Sequence, residues 1–128
     1  MRYSLLMHYP EATAADIGED AIDEGKAAFD AYAKALDEAG VLASAEVLQP
    51  ASASTTVTLR GGILKVQDGP FADTKEQLGG TFVIEVPDLD AALAWTEKCP
   101  AAQWGVVEIR PSAMLFRDGR WQSEFDRR

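Results

Sequence analysis

The order of strand and helix patterns along the chain is the feature that most restricts its fold. One helix is predicted over residues 20–39, because apolar side chains recur there at helical spacing and Gly40 follows as a stop. A second helix is predicted over residues 88–98, between a capping Asp88 and Pro100. Patterns typical of strands fill the other blocks, at 2–9, 41–50, 55–60, 63–67, 81–86 and 104–111, with an edge strand at 113–116.

The resulting order is strand, helix, strand, hairpin, strand, helix, strand. It predicts an α+β, ferredoxin-like subunit with an antiparallel sheet and two helices on one face. At 128 residues the chain has the size of one domain. We assign that domain to residues 1–116 and expect residues 117–128 to form a loose, polar C-terminal tail.

Several predicted strands are apolar on both faces, which leaves apolar surface exposed in a monomer. The neighbouring apolar pairs are Leu5 and Leu6, Val83 and Ile84, and Val106 and Val107. Because successive side chains of a strand point to opposite faces, only one member of each pair can lie under the helices. Exposed apolar patches of this size mark interfaces. We therefore expect a homodimer in which sheet packs against sheet, with a cleft between the subunits.

Composition restricts the partners and the compartment. The net charge of −9 argues against nucleic acid or an anionic membrane surface as a direct partner. His8 and Pro10 interrupt the N-terminal apolar run, which is too short to span a membrane and precedes no cleavage site. Cys99 is the single cysteine, so no intrachain disulfide can form, and this fits a reducing cytoplasm. We expect a cytoplasmic protein without membrane contact.

The segment DGPFADTKEQLGGTFVIEVPDLDAALAWTEKCP, residues 68–100, resembles the family of small bacterial YCII-related proteins named for its DGPF motif. The segments RYSLLMHYPE, residues 2–11, and AGVLASAEVLQP, residues 39–50, resemble the same family. The resemblance implies a dimeric α+β barrel built from ferredoxin-like subunits. The activity it implies is open, since members are described only as YCII-related and some are associated with extracytoplasmic-function sigma factors.

One branch of the wider superfamily comprises small dehydrohalogenases and lactone isomerases, in which a histidine and an aspartate are proposed to move protons. The histidine of that branch lies in the first helix. The matching position in this chain, counted back from LDEAGVLAS, is Phe29. The His–Asp pair of that branch therefore does not carry over to this sequence as it stands.

Asp68 is the first candidate for acid–base chemistry. It follows a predicted strand and precedes Gly69 and Pro70, so the chain turns sharply there and the carboxylate can project into a cleft. The alternative is that Asp68 caps the turn by accepting hydrogen bonds from backbone N–H groups. The two roles are compatible, and the sequence leaves both open.

His8 is the candidate proton carrier, because it is the single histidine and histidine changes charge between pH 5 and 8. It lies at the end of the first predicted strand, where a ferredoxin-like cleft opens. A surface histidine without a function is the alternative. We assign Asp68 and His8 as the catalytic pair and Arg110 as the anchor of a small anionic or aromatic substrate.

Polar side chains on the predicted strands supply further candidates for the cleft. Tyr3, Glu85, Glu108 and Arg110 alternate onto strand faces that can meet the dimer cleft. The alternative is that these side chains form a satisfied polar network at the interface between subunits.

Two side chains of the segment after Asp68 are candidates for substrate contact. Phe71 lies beside the turn and can line an apolar pocket, although we favour a buried plug that anchors the loop. Lys75 is expected in solvent, within reach of a ligand carboxylate. Capping-box spacing within residues 73–77 predicts a single helical turn inside the loop. Gly79 and Gly80 are expected to permit unusual dihedral angles or close packing where the next strand begins.

The sequence lacks the phosphate-binding glycine loop, the nucleophile elbow and the Cys/His cluster of a zinc site, so we expect no cofactor and no metal. Two functions are then open. In the first, the protein binds or converts a small molecule by acid–base chemistry in the dimer cleft. In the second, it is a non-catalytic dimeric regulatory or interaction module that works with an extracytoplasmic-function sigma factor.

Overall fold

The computed structural model describes residues 1–123. Four strands form one antiparallel sheet, in the order β2 (Leu42–Val47), β5 (Gln77–Glu85), β1 (Arg2–Tyr9) and β6 (Val106–Pro111). Strands β1 and β2 flank β5, and β1 also pairs with β6. In chain order, the strands of this sheet and the helices between them are β1 (Arg2–Tyr9), α1 (Ala14–Ile17), α2 (Glu19–Glu38), β2 (Leu42–Val47), β5 (Gln77–Glu85), α3 (Leu89–Thr96), α4 (Ala101–Trp104) and β6 (Val106–Pro111). The predicted α+β class with an antiparallel sheet is confirmed.

One face of the sheet is buried because β1 alternates strictly. Tyr3, Leu5 and Met7 are buried, and in the strand register Leu5 lies opposite Phe82 while Tyr3 lies opposite Ile84. Both α2 and α3 contribute buried residues to the same core cluster. Burying one such apolar side chain contributes roughly 1.5–3 kcal/mol to stability, so this face holds the sheet and the helices together.

Tyr32 joins the two long helices to each other and to the sheet. Its hydroxyl donates a hydrogen bond to the Trp95 carbonyl at 2.7 Å, and its ring packs edge-on against Phe82 with centroids 5.0 Å apart. Burial raises the pKa of Tyr32 above its ordinary value. The two helices therefore pack as one layer on one face of the sheet.

The opposite face of the sheet carries no helix in the part of the chain described. The even-numbered side chains of β1, including Leu6 and His8, point to this open face. In the strand register Leu6 lies opposite Thr81, and His8 lies opposite Val106. Leu6 is half-buried and Val106 is exposed. In each of the three apolar pairs noted in the sequence, one residue lies under the helices and the other lies on the open face, as strand alternation requires.

Two hairpins lie outside the main sheet. The first joins β3 (Thr55–Arg60) and β4 (Ile63–Asp68), the two strands of the predicted hairpin, through Gly61 and Gly62, both with positive φ. The second joins β7 (Met114–Arg117) to β8 (Arg120–Ser123).

The expectation of a loose tail from residue 117 is wrong for its first seven residues. Phe116 and Trp121 lie opposite each other and pack edge-on, with ring centroids 5.3 Å apart. Asp118 and Gly119 adopt positive φ and form the turn between the strands. Cross-strand aromatic contact therefore orders a segment that polar composition alone predicts to be irregular. Residues 124–128 of the predicted tail lie outside the described residues.

The loop between Asp68 and the next strand is shorter than predicted and contains no helix. Strand β5 begins at Gln77, and the predicted helical turn within 73–77 is wrong. The Gln77 side chain instead donates hydrogen bonds to Asp73 and to the Thr74 carbonyl. Gly79 and Gly80 lie inside β5, at a bulge opposite β1, so the prediction of close packing there is confirmed.

Candidate functional site

A cleft of about 1300 Å³ separates the open face of the sheet from the first hairpin and the loop that follows it. Its floor is formed by His8, Val106 and Glu108 of the two adjacent strands β1 and β6. One wall comes from residues between 48 and 57, and the other from residues between 70 and 78. The cleft is therefore assembled within a single chain.

Two side chains on the floor of the cleft, His8 and Glu108, form a chain of charged or titratable groups with Arg110 beside the cleft. The Nε2 atom of His8 lies 3.7 Å from Oε1 of Glu108, and Arg110 donates a hydrogen bond to the other carboxylate oxygen of Glu108. The side chains of His8 and Glu108 are 31% and 43% exposed, so both are open to a ligand. The hydrogen bond and the charge of Arg110, assisted by His8, hold the pKa of Glu108 below its ordinary value.

The strand register explains why these three side chains meet. His8 lies opposite Val106 and Leu6 lies opposite Glu108, which places Glu108 diagonally beside His8 on the open face. Arg110 follows two residues later on the same face. Each side chain therefore owes its place to the pairing of β1 with β6 and not to a flexible loop.

Gly105 permits β6 to begin against the backbone of His8. A Cβ atom at Gly105 would overlap the His8 carbonyl oxygen and would lie 2.8 Å from the Cα atom of Tyr9. Since real Cβ atoms do not approach backbone so closely, any other residue at this position would displace one of the two strands. The spacing between His8 and Glu108 therefore depends on a glycine that the sequence interpretation did not single out.

Asp68 lies at the end of β4, exposed to solvent, and is not among the residues that line the cleft. The turn that follows it is held by other groups. Gly69 N–H donates to the Ser54 carbonyl at 2.8 Å, and the Thr56 hydroxyl donates to the Gly69 carbonyl at 2.7 Å. Within residues 1–123 these backbone and threonine contacts, and not the Asp68 carboxylate, close the turn.

The structure separates the other predicted site residues into two groups. Phe71 and Lys75 line the cleft wall together, whereas Arg110 is mostly exposed and reaches the site through Glu108. Phe71 is 91% exposed, so the expectation of a buried plug that anchors the loop is wrong. The turn is fixed by its own hydrogen bonds and leaves the phenylalanine ring at the edge of the cleft.

Two of the polar strand residues expected at the cleft lie elsewhere. Tyr3 is buried under the helices, because it shares the face of Leu5. Glu85 lies at the far end of the open face, where its carboxylate contacts Arg2 at 3.2 Å and Arg117 at 3.6 Å. The expectation is therefore wrong for Tyr3. Glu85 does not line the cleft within the chain, and its place at a cleft between subunits stays a prediction.

No group of three or more His, Cys, Asp or Glu side chains within residues 1–123 is arranged to hold a metal ion. Over the same residues, no helix combines the length and the apolar character needed to cross a bilayer.

The fold and the cleft define an α+β protein with a helix-covered antiparallel sheet and a candidate site on the open sheet face. Comparison with known families gives a match to the YCII-related domain over residues 1–113. An uncharacterized protein of Rhizobium meliloti (strain 1021) is 32% identical over 125 residues, which cover 96% of this chain and 100% of the relative. The chain therefore belongs to the YCII-related family.

Proposed function

We propose that the protein binds a small molecule in the cleft and moves a proton on it with His8. The observation that carries the proposal is the placement of the single histidine beside Glu108 on the floor of a large cleft. Clefts of several hundred Å³ with mostly apolar walls and few polar groups are typical of small-molecule sites. A histidine that opens onto such a cleft is a suitable general base or acid.

Each polar group has a distinct part in the proposed chemistry. His8 accepts the proton at Nε2, and the Glu108 carboxylate stabilises the imidazolium that forms through its charge. At 3.7 Å the two side chains are too far apart for a hydrogen bond, and they form an ion pair once His8 has taken up the proton. Arg110 positions Glu108 and keeps it ionised, a role different from the substrate anchor predicted from sequence.

The cleft walls indicate how a ligand would be held. Phe71 offers an exposed aromatic face, and Lys75 supplies a positive charge to pair with an anionic group of the ligand. Asp68 does not contact the ligand in this proposal, because it does not line the cleft. The predicted catalytic role of Asp68 stays a prediction.

We also propose the homodimer that the two-faced strands predict. The chain exposes 8890 Å² of surface, whereas a compact monomer of 13.8 kDa exposes about 6600 Å². The excess of roughly 2000 Å² is comparable to the surface that one subunit buries in a large homodimer interface. This excess and the open sheet face support a sheet-to-sheet dimer.

A thermal-shift screen against a metabolite library tests the proposed binding. A ligand present at 100 times its Kd stabilises the folded state by about 2.7 kcal/mol, which raises Tm measurably. We expect the ligands that stabilise the wild type to lose most of this effect with His8→Gln and Glu108→Gln.

Glu97→Gln is the matched control, because Glu97 is an exposed glutamate at the C-terminal cap of α3 and does not line the cleft. It should respond to every ligand as the wild type does. Equal stabilisation of the wild type and His8→Gln by all ligands would overturn the proposed site.

A further inference from the structure

Strand β5 contains a bulge directly beside His8. Up to Met7 the pairing of β1 with β5 is regular, and Met7 lies opposite Gly80. The register then shifts, so that His8 lies opposite Leu78. Gly79 is therefore the extra residue of β5, which the pairing skips. Bulges re-aim neighbouring side chains and are over-represented next to active sites.

The bulge determines which side chain accompanies His8 on the floor of the cleft. In an unbroken ladder Gly79 would lie opposite His8, and Leu78 would lie opposite Tyr9 on the face that the helices cover. With the bulge, Leu78 lies opposite His8 on the open face, and both residues line the cleft. His8 lies opposite Val106 on the side of β6, so an apolar residue flanks it on each neighbouring strand.

Tyr9 supports the bulge from the covered side of the sheet. It packs against the buried core cluster, and its ring centroid lies 6.4 Å from that of Phe29. The ring also lies so close to Gly79 that a Cβ atom at this glycine would enter it. The Tyr9 hydroxyl donates a hydrogen bond to the Gly79 carbonyl at 3.2 Å. Because Tyr9 does not line the cleft, its influence on the site passes through the bulge.

The Gly79 carbonyl joins three segments around the cleft. It also accepts a hydrogen bond from the Leu48 N–H group at 2.8 Å, and Leu48 lines a wall of the cleft. Burial, and then the charge of Glu11, raise the pKa of Tyr9, so its hydroxyl stays protonated and remains a donor. The end of β1, the start of β5 and one cleft wall therefore meet at a single backbone oxygen.

We infer that Tyr9 is a positioning residue of the candidate site, because its hydrogen bond to Gly79 fixes the bulge that places Leu78 beside His8. Leu78 stands on the β5 side of the imidazole, and Glu108 stands on the β6 side. An aliphatic neighbour offers no hydrogen bond, so the imidazole keeps its polar partner on the β6 side alone of these two strands. The importance of this contact for a ligand rests on the proposed function, whereas the contact itself does not.

Tyr9→Phe tests the inference, because it keeps the ring and removes only the hydroxyl. In the ligand-free protein we expect the Cε1–H NMR signal of His8 to shift. We also expect the nuclear Overhauser effect between the His8 ring and the Leu78 methyl groups to weaken. Hydrogen exchange of the Leu48 amide should become about two- to tenfold faster, as the loss of one hydrogen bond predicts.

Tyr32→Phe is the matched control. It also removes a tyrosine hydroxyl that donates to a backbone carbonyl, that of Trp95, and it belongs to the same core. We expect Tyr32→Phe to leave the His8 signal and the contact with Leu78 as they are in the wild type. An unmoved His8 signal in folded Tyr9→Phe would overturn the inference. Equal changes in the two variants would also overturn it, because the role of Tyr9 would then be structural only.

The wild type supplies a second test that does not depend on the folding of any variant. A folded wild type without a nuclear Overhauser effect between His8 and Leu78 would overturn the inference, since the bulge would then not bring these residues together. All these measurements use the ligand-free protein. A metabolite screen without hits would therefore count against the proposed function and would leave the positioning of His8 and Leu78 by Tyr9 intact.

Discussion

At the scale of single residues, the contact between Glu108 and Arg110 determines the electrostatics of the candidate site. Arg110 donates a hydrogen bond to Glu108 and lowers its pKa, so Glu108 stays ionised beside His8 over a wider pH range. Because the pKa of Glu108 is depressed in the folded state, its contribution to stability is present above the ordinary carboxylate pKa. That contribution is lost as the pH falls through the depressed value.

Arg110→Gln tests this arrangement. We expect the pKa of Glu108 to rise toward its ordinary value, because the variant removes both the hydrogen bond and the charge of Arg110. The measurement is an NMR titration of the Glu108 side-chain carboxyl carbon under acidic conditions. Arg60→Gln, which removes a charge from the tip of the first hairpin, serves as the control. A Glu108 titration that is identical in Arg110→Gln and the wild type would contradict the assignment.

The residues of the site differ in how far the sequence could identify them. His8 was identifiable as the single histidine, and the period of two along β6 placed Glu108 and Arg110 on one face. Gly105 was not identifiable, because its importance comes from a backbone contact with His8 that forms only when β1 and β6 pair. Phe71 was identified as a residue of the loop, but its burial was predicted wrongly because loop hydrogen bonds, and not its ring, hold the turn.

At the scale of elements, strand β5 is one of the two central strands of the sheet and depends on its two glycines. A Cβ atom at Gly79 would enter the Tyr9 ring, and one at Gly80 would collide with the Glu46 carbonyl oxygen of β2. The period-two pattern predicted the strand only from residue 81, since glycines are depleted in strand interiors. The pairing of β5 with both β1 and β2 extends it through the glycines.

Gly80→Ala should therefore destabilise the protein by about 1–3 kcal/mol, since the added methyl group must displace the backbone of β2. Urea denaturation measures the loss as a lower midpoint at an unchanged slope. The control is Gly25→Ala in α2, where the nearest atom to the added Cβ is 3.4 Å away, in the Trp104 ring. That variant should be neutral or gain up to about 1 kcal/mol from helix propensity. A Gly80→Ala protein as stable as the wild type would contradict this account of β5.

The remaining elements show which sequence signals are reliable. The prediction of the first long helix is accurate to one residue at each end, because its apolar stripe and the stop at Gly40 agree. For the second hairpin, the sequence predicted the first strand, β7, but not the second strand, β8. The residues of β8 show little of the apolar alternation typical of a strand, and the contact of Trp121 with Phe116 orders them. Local propensity identifies elements that carry their own signal, whereas elements stabilised by a distant partner require the structure.

At the scale of the whole molecule, one layer of helices covers one face of the sheet and leaves the other face and the first hairpin exposed. The sequence indicated this imbalance through its neighbouring apolar pairs, because a strand cannot hide both faces under one layer. The sequence could not indicate that the first hairpin and the loop after it enclose a cleft within one chain. The existence of this cleft depends on the distance between the hairpin and the sheet. The homodimer, the sigma-factor association and the cytoplasmic location stay predictions.

The central claim is that the cleft above His8 receives a small molecule. Because His8 is the single histidine, its ring Cε1–H gives one assignable NMR signal, which reports directly on the floor of the cleft. Titration of the wild-type protein with a library of small fragments should yield ligands that shift this signal in a saturable way, and Glu97→Gln should reproduce the shifts. A folded protein whose His8 signal is unmoved by every fragment that binds it would contradict the claim.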